Sequence, residues 1–538
     1  MTVIWVSRFC RAIKAPETAK RYWNATFGIL MVPLVQLAVV PIQIVFDARG
    51  INLPASILVM TILTIVMLSI NFMSESVNLF YTAHMKGPTD FLGRHMSFGF
   101  VASFVMLSKE HIKNATDIPR IAGAFVVTTL LNYIGCYIFA ASSFRVEERF
   151  RRLNKRPKDN ENRTQQSNNP SRPSQRESKI NKLADIIVSN GSLTSIQSSH
   201  ASSFTVEFVV RTFPLWVTLV ILITIGLPIY CAMSYDMPFE AFCFTFIWIT
   251  AVHFQRYIKS YKSLGVRPKT RRFLSVIFNP VLATSALCTV YFWVKTVTTY
   301  RDIGAILDDF KRHNSWAAIV VCLIRGGGFT QNVGAGDLAH AILDAGIVSL
   351  GFKMFEHRRE LWDSFATVLS TCLVFATLNV FINVILARAM GLRPADALAF
   401  CARNVTIALG VPAVQGLEGS TTLMASLVTF SGMLFQMTGD LLFSWLRIND
   451  RRPAANVSCS LSKNEKEMEY VDRNEYKVIA AGVTVGINAA AMGTSHLIER
   501  DSRSTAYSAL SMTLFGAFTV AVTAVPAIAD ALKMLAAR

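Results

Sequence analysis

The sequence predicts an all-α polytopic membrane protein with about 10–12 transmembrane or re-entrant segments, a crossing helix needing roughly 20 apolar residues. Three observations carry that expectation: the composition, the recurring apolar runs and the placement of basic residues. Of 538 residues, 52% are hydrophobic and only 16% charged, whereas a soluble globular chain carries roughly 25% charged residues. The mean hydropathy of +0.40 agrees with lipid as the main solvent.

Taken in order, the clearest apolar runs cover residues 29–46, 53–72, 121–143, 215–233, 239–254, 273–294, 365–387, 423–446 and 508–529, with weaker ones between. Pro33 and Pro41 are expected to kink the first span. The net charge of +18 would suggest nucleic acid in a soluble protein, but here it follows the positive-inside rule, and no nucleic-acid partner is expected. Basic clusters at residues 145–158, 256–272, 358–359 and 447–452 can all share one side with the basic amino terminus. That parity puts the amino terminus and the first hydrophilic linker in the cytosol. Lys109, Lys113 and Arg120 fall opposite, in a short mixed-sign loop of little topogenic weight. The first 22 residues, with Glu17 their only acid, read as a cytosolic flank, a composition that an organellar presequence shares. The membrane is thus either the plasma membrane or an organellar one.

Nine cysteines show no CxxC or Cys/His spacing and sit mostly in apolar runs, so they read as core residues, with no metal and no cofactor expected. Residues 146–205 turn abruptly to Arg, Asn, Ser, Gln and Pro and lack the apolar surface to fold, which predicts a disordered cytosolic linker. It separates a four-span module, residues 1–145, from a larger module, residues 206–538, itself interrupted by a hydrophilic insert at 447–475.

Three stretches of the larger module are apolar enough to enter the membrane, yet too rich in Gly, Pro and polar groups to cross as plain helix: residues 322–337, 395–420 and 480–501. Broken backbone at membrane depth is tolerated only where protein buries it or a watery cavity lies beside it. By the parity above, 395–420 enters from outside and 480–501 from inside. Opposed broken helices are how inverted-repeat carriers hold substrate near the midplane. No clean internal repeat accompanies them, so an inverted repeat in this module rests on polarity and topology.

Within these stretches Arg403 and His496 stand out, because an ionisable group at the bilayer centre costs about 3 kcal/mol or more. Arg403 beside a helix break can clamp a carboxylate bidentately, with pairing to Asp396 or interfacial anchoring as the alternatives. Asn404 and Thr406 add neutral donors or helix caps. Gly493, Thr494 and Ser495 allow close backbone approach, and His496 can carry a coupling proton or serve structurally. Arg500 is a weaker candidate, grouped with Glu499, Asp501 and Arg503 in a solvated cluster. Arg325 with Gly326, Gly327 and Gly328 matches no phosphate loop and reads as a flexible turn. Arg94 and His95 lie near a span start, where snorkelling competes with function.

GINLPASILVMTIL at residues 50–63 and DFLGRHMSFGFVASFVML at 90–107 resemble the LrgA/CidA holin-like family. RNVTIALGVPA at 403–413, MGTSH at 492–496 and YSALSM at 507–512 resemble LrgB/CidB. Both modules in one chain resemble the plastidal glycolate/glycerate translocators, and the serine-rich linker and inserts resemble fungal members. Ile407 and Leu409 depart from the Thr and Pro of that pattern, and LeuIleGluArgAspSer replaces the Gly-rich stretch after the histidine. The resemblance implies a secondary transporter or facilitator of small monocarboxylates such as glycolate, glycerate or pyruvate. The motif residues Arg94, His95, Arg403, Thr406 and Gly493 to His496 would then face the solute.

The expected partners are therefore the bilayer, small organic anions, coupling protons and further copies of the chain as a homo-oligomer. The alternative is a holin-like pore or regulator of permeability, which would leak without saturable exchange. No GxxxxGK[ST] occurs, so an ABC-type pump within this chain is excluded. A membrane enzyme has no nucleophile triad, HExxH or spaced acid pair to support it.

Overall fold

The computed structural model describes residues 15–49, 54–74, 76–106, 117–155, 200–260, 270, 274, 277–312, 333–448, 450 and 465–538. Most of the 146–205 linker (156–199), the glycine-rich stretch with Arg325 (322–332) and residues 451–464 of the insert lie outside the described residues. Among the described residues there is no strand, and ten helices are long and apolar enough to cross a membrane. The protein is an all-α, integral multi-pass membrane protein. Helix is the form that satisfies every backbone N–H and C=O within one segment, which a water-free interior demands.

The chain divides into two compact units. One comprises Met1–Ala19 and Val146–Phe213, its described part nearly all helical. The other, Lys20–Arg145 with Pro214–Arg538, holds the hydrophobic core.

Burial sorts the spans of this core. In the most apolar window of Phe208–Met233 only 6% of residues are buried, and in that of Ala55–Met73 22%. Their Leu, Ile and Val side chains point outward, as lipid-facing positions should. By contrast 78% of the window in Ala335–Glu356 and 100% of that in Glu475–Glu499 is buried. The inner helices are rich in Ala, Gly, Ser and Thr, which lets backbones approach closely. Gly482 and Gly486, one turn apart, show how: a Cβ at Gly482 would lie 2.7 Å from Tyr507 Cβ, and one at Gly486 would collide with the Ser508 carbonyl and Ser511. The helix Thr505–Thr523 therefore nests directly against Glu475–Glu499.

The amino-terminal helices share this core. Gln36 Nε2 donates to the Ala341 carbonyl at 3.2 Å, and Thr64 Oγ1 to the Gly351 carbonyl at 3.3 Å. Lys353 of the inner helix pairs with Asp90 and Glu356, and Lys86 also pairs with Glu356 at 2.8 Å. The 33-residue helix Pro16–Ala48 runs through both Pro33 and Pro41.

Residues 86–106 form two short helices, Lys86–His95 and Phe98–Met106, broken at Met96 and Ser97. Tertiary packing explains the break. Met96 presses on Gly346, and Gly99 lies so near Ala339 and Leu343 that a Cβ would come within 2.7 Å of the Ala339 carbonyl.

Candidate functional site

Three interrupted helices meet in the core. The first is the break at Met96 and Ser97. The second lies between the short 3-10 turn Phe400–Ala402 and the helix Ile407–Gln415, where Arg403 to Val405 form a turn and Thr406 is extended at φ −55° and ψ 140°. The third is at Ala490, inside Glu465–Glu499, whose backbone takes φ 46° and ψ −136°. An L-residue reaches that region only under strain, and such strain collects at functional positions.

Each break frees backbone groups, and neighbouring polar side chains take them up. Ser431 Oγ donates to the Asn488 carbonyl at 2.7 Å, and Gln436 Nε2 to the Met492 carbonyl at 3.3 Å. Both residues project from the 25-residue helix Thr421–Trp445. Asn404 Nδ2 donates to Asn488 Oδ1 at 3.1 Å, which joins the second break to the third. Ser97 Oγ and Ser495 Oγ are 2.6 Å apart, joining the first break to the third. Gln436 Nε2 reaches both hydroxyls at 3.4 Å.

Arg403 is wholly buried. Its Nη1 donates to Thr129 Oγ1 at 2.9 Å, and its guanidinium lies 5.4 Å from the centre of the Phe125 ring. Arg403 Nε and Nη2 have no hydrogen-bond partner among the described residues, and neither do Asn404 Oδ1 and Thr406 Oγ1. Asp396, the acid expected as a structural partner, is held by Arg393 at 2.8 Å instead. Thr406 precedes the helix Ile407–Gln415 but makes no capping bond with its side chain. The first-turn N–H groups of that helix lack intrahelical acceptors by construction, so the fork of Arg403 opens beside a helix start, a setting that favours an anion.

The remaining predicted residues divide between binding geometry and packing. Ser495 belongs to the junction of breaks. Thr494 turns away, donating to the Ala490 carbonyl at 2.9 Å and meeting Ser508 Oγ at 2.8 Å. Gly493 serves close packing, since a Cβ there would lie 2.6 Å from Ala489 Cβ and 2.7 Å from Val485 Cγ1. His496 is buried edge-on against Phe435, ring centres 5.7 Å apart, with Nε2 3.4 Å from Asp440 Oδ1 but not aligned for a hydrogen bond. Phe435 also stacks on Tyr133, which shares a helix with Thr129. Arg500 binds Asp440 at 2.8 Å and Asp450 at 3.0 Å, an ion-pair role rather than an open site. Arg94 pairs with Asp501 at 2.6 Å, and His95 packs on Phe91 with ring centres 4.5 Å apart.

Asn488, Ser97, Ser431, Gln436 and Thr129 were not singled out from the sequence. A hydrophilic residue inside an apolar run was the available signal, and for Asn488 and Gln436 it was present.

Residues 264–458 and 473–529 match the LrgB-like family. The chain is similar to plastidal glycolate/glycerate translocator 1, chloroplastic, of Arabidopsis thaliana, 23% identical over 200 residues, which are 37% of this chain and 34% of that protein. It is also similar to holin-like protein CidB of Staphylococcus aureus (strain Mu50), 22% identical over 200 residues, 37% of this chain and 76% of that protein. CidB of Staphylococcus epidermidis matches to the same extent, 22% over 200 residues. The aligned stretch thus spans about a third of the translocator's length. No solved structure matches the chain.

Proposed function

We propose that this membrane protein, LrgB-like over residues 264–458 and 473–529, is a secondary carrier of small monocarboxylates of the glycolate, glycerate or pyruvate class. Similarity to a glycolate/glycerate translocator and to holin-like CidB supports a transporter or holin-like role over an enzymatic one. The observation that carries the finer reading is Arg403: a fully buried guanidinium with two nitrogens unpartnered among the described residues. An unpaired charge in a membrane interior is expensive and is retained where it pairs with something that comes and goes. The free Nε and Nη2 present the fork that binds a carboxylate bidentately. Asn404 and Thr406 add polar atoms beside it, and the helix breaks give two rigid halves that can move against one another about the solute.

Purified protein in liposomes, given radiolabelled glycolate, glycerate and pyruvate, tests this. Saturable uptake by the wild type, lost in a correctly folded Arg403→Ala variant, is the expected result. Leak of unrelated solutes without saturation would overturn the carrier and favour a holin-like pore, the reading that similarity to CidB supports.

A further inference from the structure

We infer that Asn132, Asn379 and Asn383 form a neutral subsite next to Arg403, which receives the oxygen-bearing end of a solute whose carboxylate Arg403 holds. The inference rests on the carrier reading above and adds which residues select among carboxylates.

The three asparagines lie on two packed helices, Asp117–Lys155 and Phe365–Ala389. Gly135 of the first sits 3.5 Å, measured from its Cβ position, from the Phe375 ring of the second. That contact turns the row Phe375, Asn379, Asn383, spaced one turn apart, toward the first helix. Asn132 Nδ2 there donates to Asn383 Oδ1 at 3.1 Å. Thr129, three residues before Asn132 and therefore on the same face, is the residue that accepts from Arg403 Nη1. The asparagine pair is thus about one helical turn from the guanidinium.

Asn132, Asn379 and Asn383 are 5%, 2% and 1% exposed. Even so, Asn379 Nδ2 and Asn383 Nδ2 have no partner among the described residues, and neither has the hydroxyl of Tyr133. Unpaired buried donors are destabilising. Two amide donors on adjacent turns lie beside a guanidinium with two open positions, and the unpartnered Asn404 Oδ1 next to Arg403 adds an acceptor. The guest that matches is a carboxylate bearing a hydroxyl or carbonyl oxygen at its other end. A carboxylate ending in methyl would leave the amides unpaired, and sites built to hydrogen-bond a group reject analogues that lack it.

The test is the selectivity for glycolate over acetate, from competition in proteoliposome uptake by full-length wild type, Asn379→Leu and Asn383→Leu. The subsite predicts a fall in that ratio of about tenfold or more in each variant, the loss of roughly one good hydrogen bond. Thermal stability of Asn379→Leu should hold or rise, because its amide nitrogen touches no protein acceptor. An unchanged ratio with uptake intact overturns the subsite alone. Failure of Asn379→Leu to fold assigns the residue to packing and overturns it equally. Absence of saturable uptake by the wild type overturns the carrier reading, and the subsite with it.

Discussion

Asn404 and Asn488, 84 residues apart in sequence, meet side chain to side chain at 3.1 Å and so bind one helix break to another. Asn488 also donates to the Thr484 carbonyl at 2.9 Å while its own carbonyl accepts from Ser431. Removing either amide leaves the other buried and short of a partner. Asn404→Leu and Asn488→Leu are each predicted to destabilise by about 1–3 kcal/mol. The double variant should lose less than the sum, with coupling of at least roughly 0.5 kcal/mol. Thermal unfolding in detergent measures this, and strict additivity would refute the contact.

Arg403 sets function against stability. Exchanging it for an apolar side chain of similar length removes an unpaired buried charge. Arg403→Met is predicted to abolish carboxylate uptake, by roughly 100-fold or more, while raising stability by about 1–3 kcal/mol. Arg403→Lys keeps the charge but not the fork, so its uptake should stay near that of Arg403→Met. A fall in the melting temperature of Arg403→Met would show that the guanidinium serves packing.

Ser97 and Ser495 are close enough to report on whether the two sequence modules work as one. Their oxygens are 2.6 Å apart, a separation compatible with the short Cβ distances a disulfide requires. With a protease site engineered near residue 180, Ser97→Cys/Ser495→Cys should yield two fragments that stay joined after oxidation and separate on reduction. Oxidation should also stop uptake. Fragments that never join would place the break at Ser97 elsewhere in the working protein.

Backbone positions in the inner helix make opposite predictions. Ala490, at φ 46° and ψ −136°, occupies a region open mainly to glycine, so Ala490→Gly should stabilise by about 1 kcal/mol. Gly486→Ala drives a methyl into Ser508 and Ser511 and should destabilise by about 1–3 kcal/mol. Melting temperatures of the two variants that move in the same direction would contradict this geometry.

His496 lies 3.4 Å from Asp440, which Arg500 also binds. His496 and Arg500 thus face one shared carboxylate. His496→Gln is therefore predicted to retain downhill uptake and to lose its response to an imposed pH gradient. Equal stimulation by the gradient in variant and wild type would remove His496 from any coupling role.

The sequence made the breaks at 395–420 and 480–501 legible because glycine, proline and polar residues interrupt long apolar runs there. Arg403 was legible for the same reason that it matters: charge is rare at depth. The break at Met96 was hidden, since Phe98 to Met106 continues the apolar run and what interrupts it is the contact of Met96 with Gly346. Gly493 and Thr494 looked like solute contacts because they flank His496, yet the reversal at Ala490 turns them toward Val485 and Ser508. Asn132 and Asn383 lie 251 residues apart, and no spacing rule brings such a pair together before the fold is known.

The complete burial of the Glu475–Glu499 window has a consequence for how the protein is made. A nascent helix entering the bilayer meets lipid first, but this one has no surface suited to lipid in its finished state. Its Asn488, Thr494 and Ser495 find partners on residues synthesised both earlier and later, namely Ser431, Ser508 and Ser97. Its assembly therefore awaits the later span Thr505–Thr523. Chains that stop short of that span would leave Thr494, Gly482 and Gly486 of this helix without the neighbour they pack against.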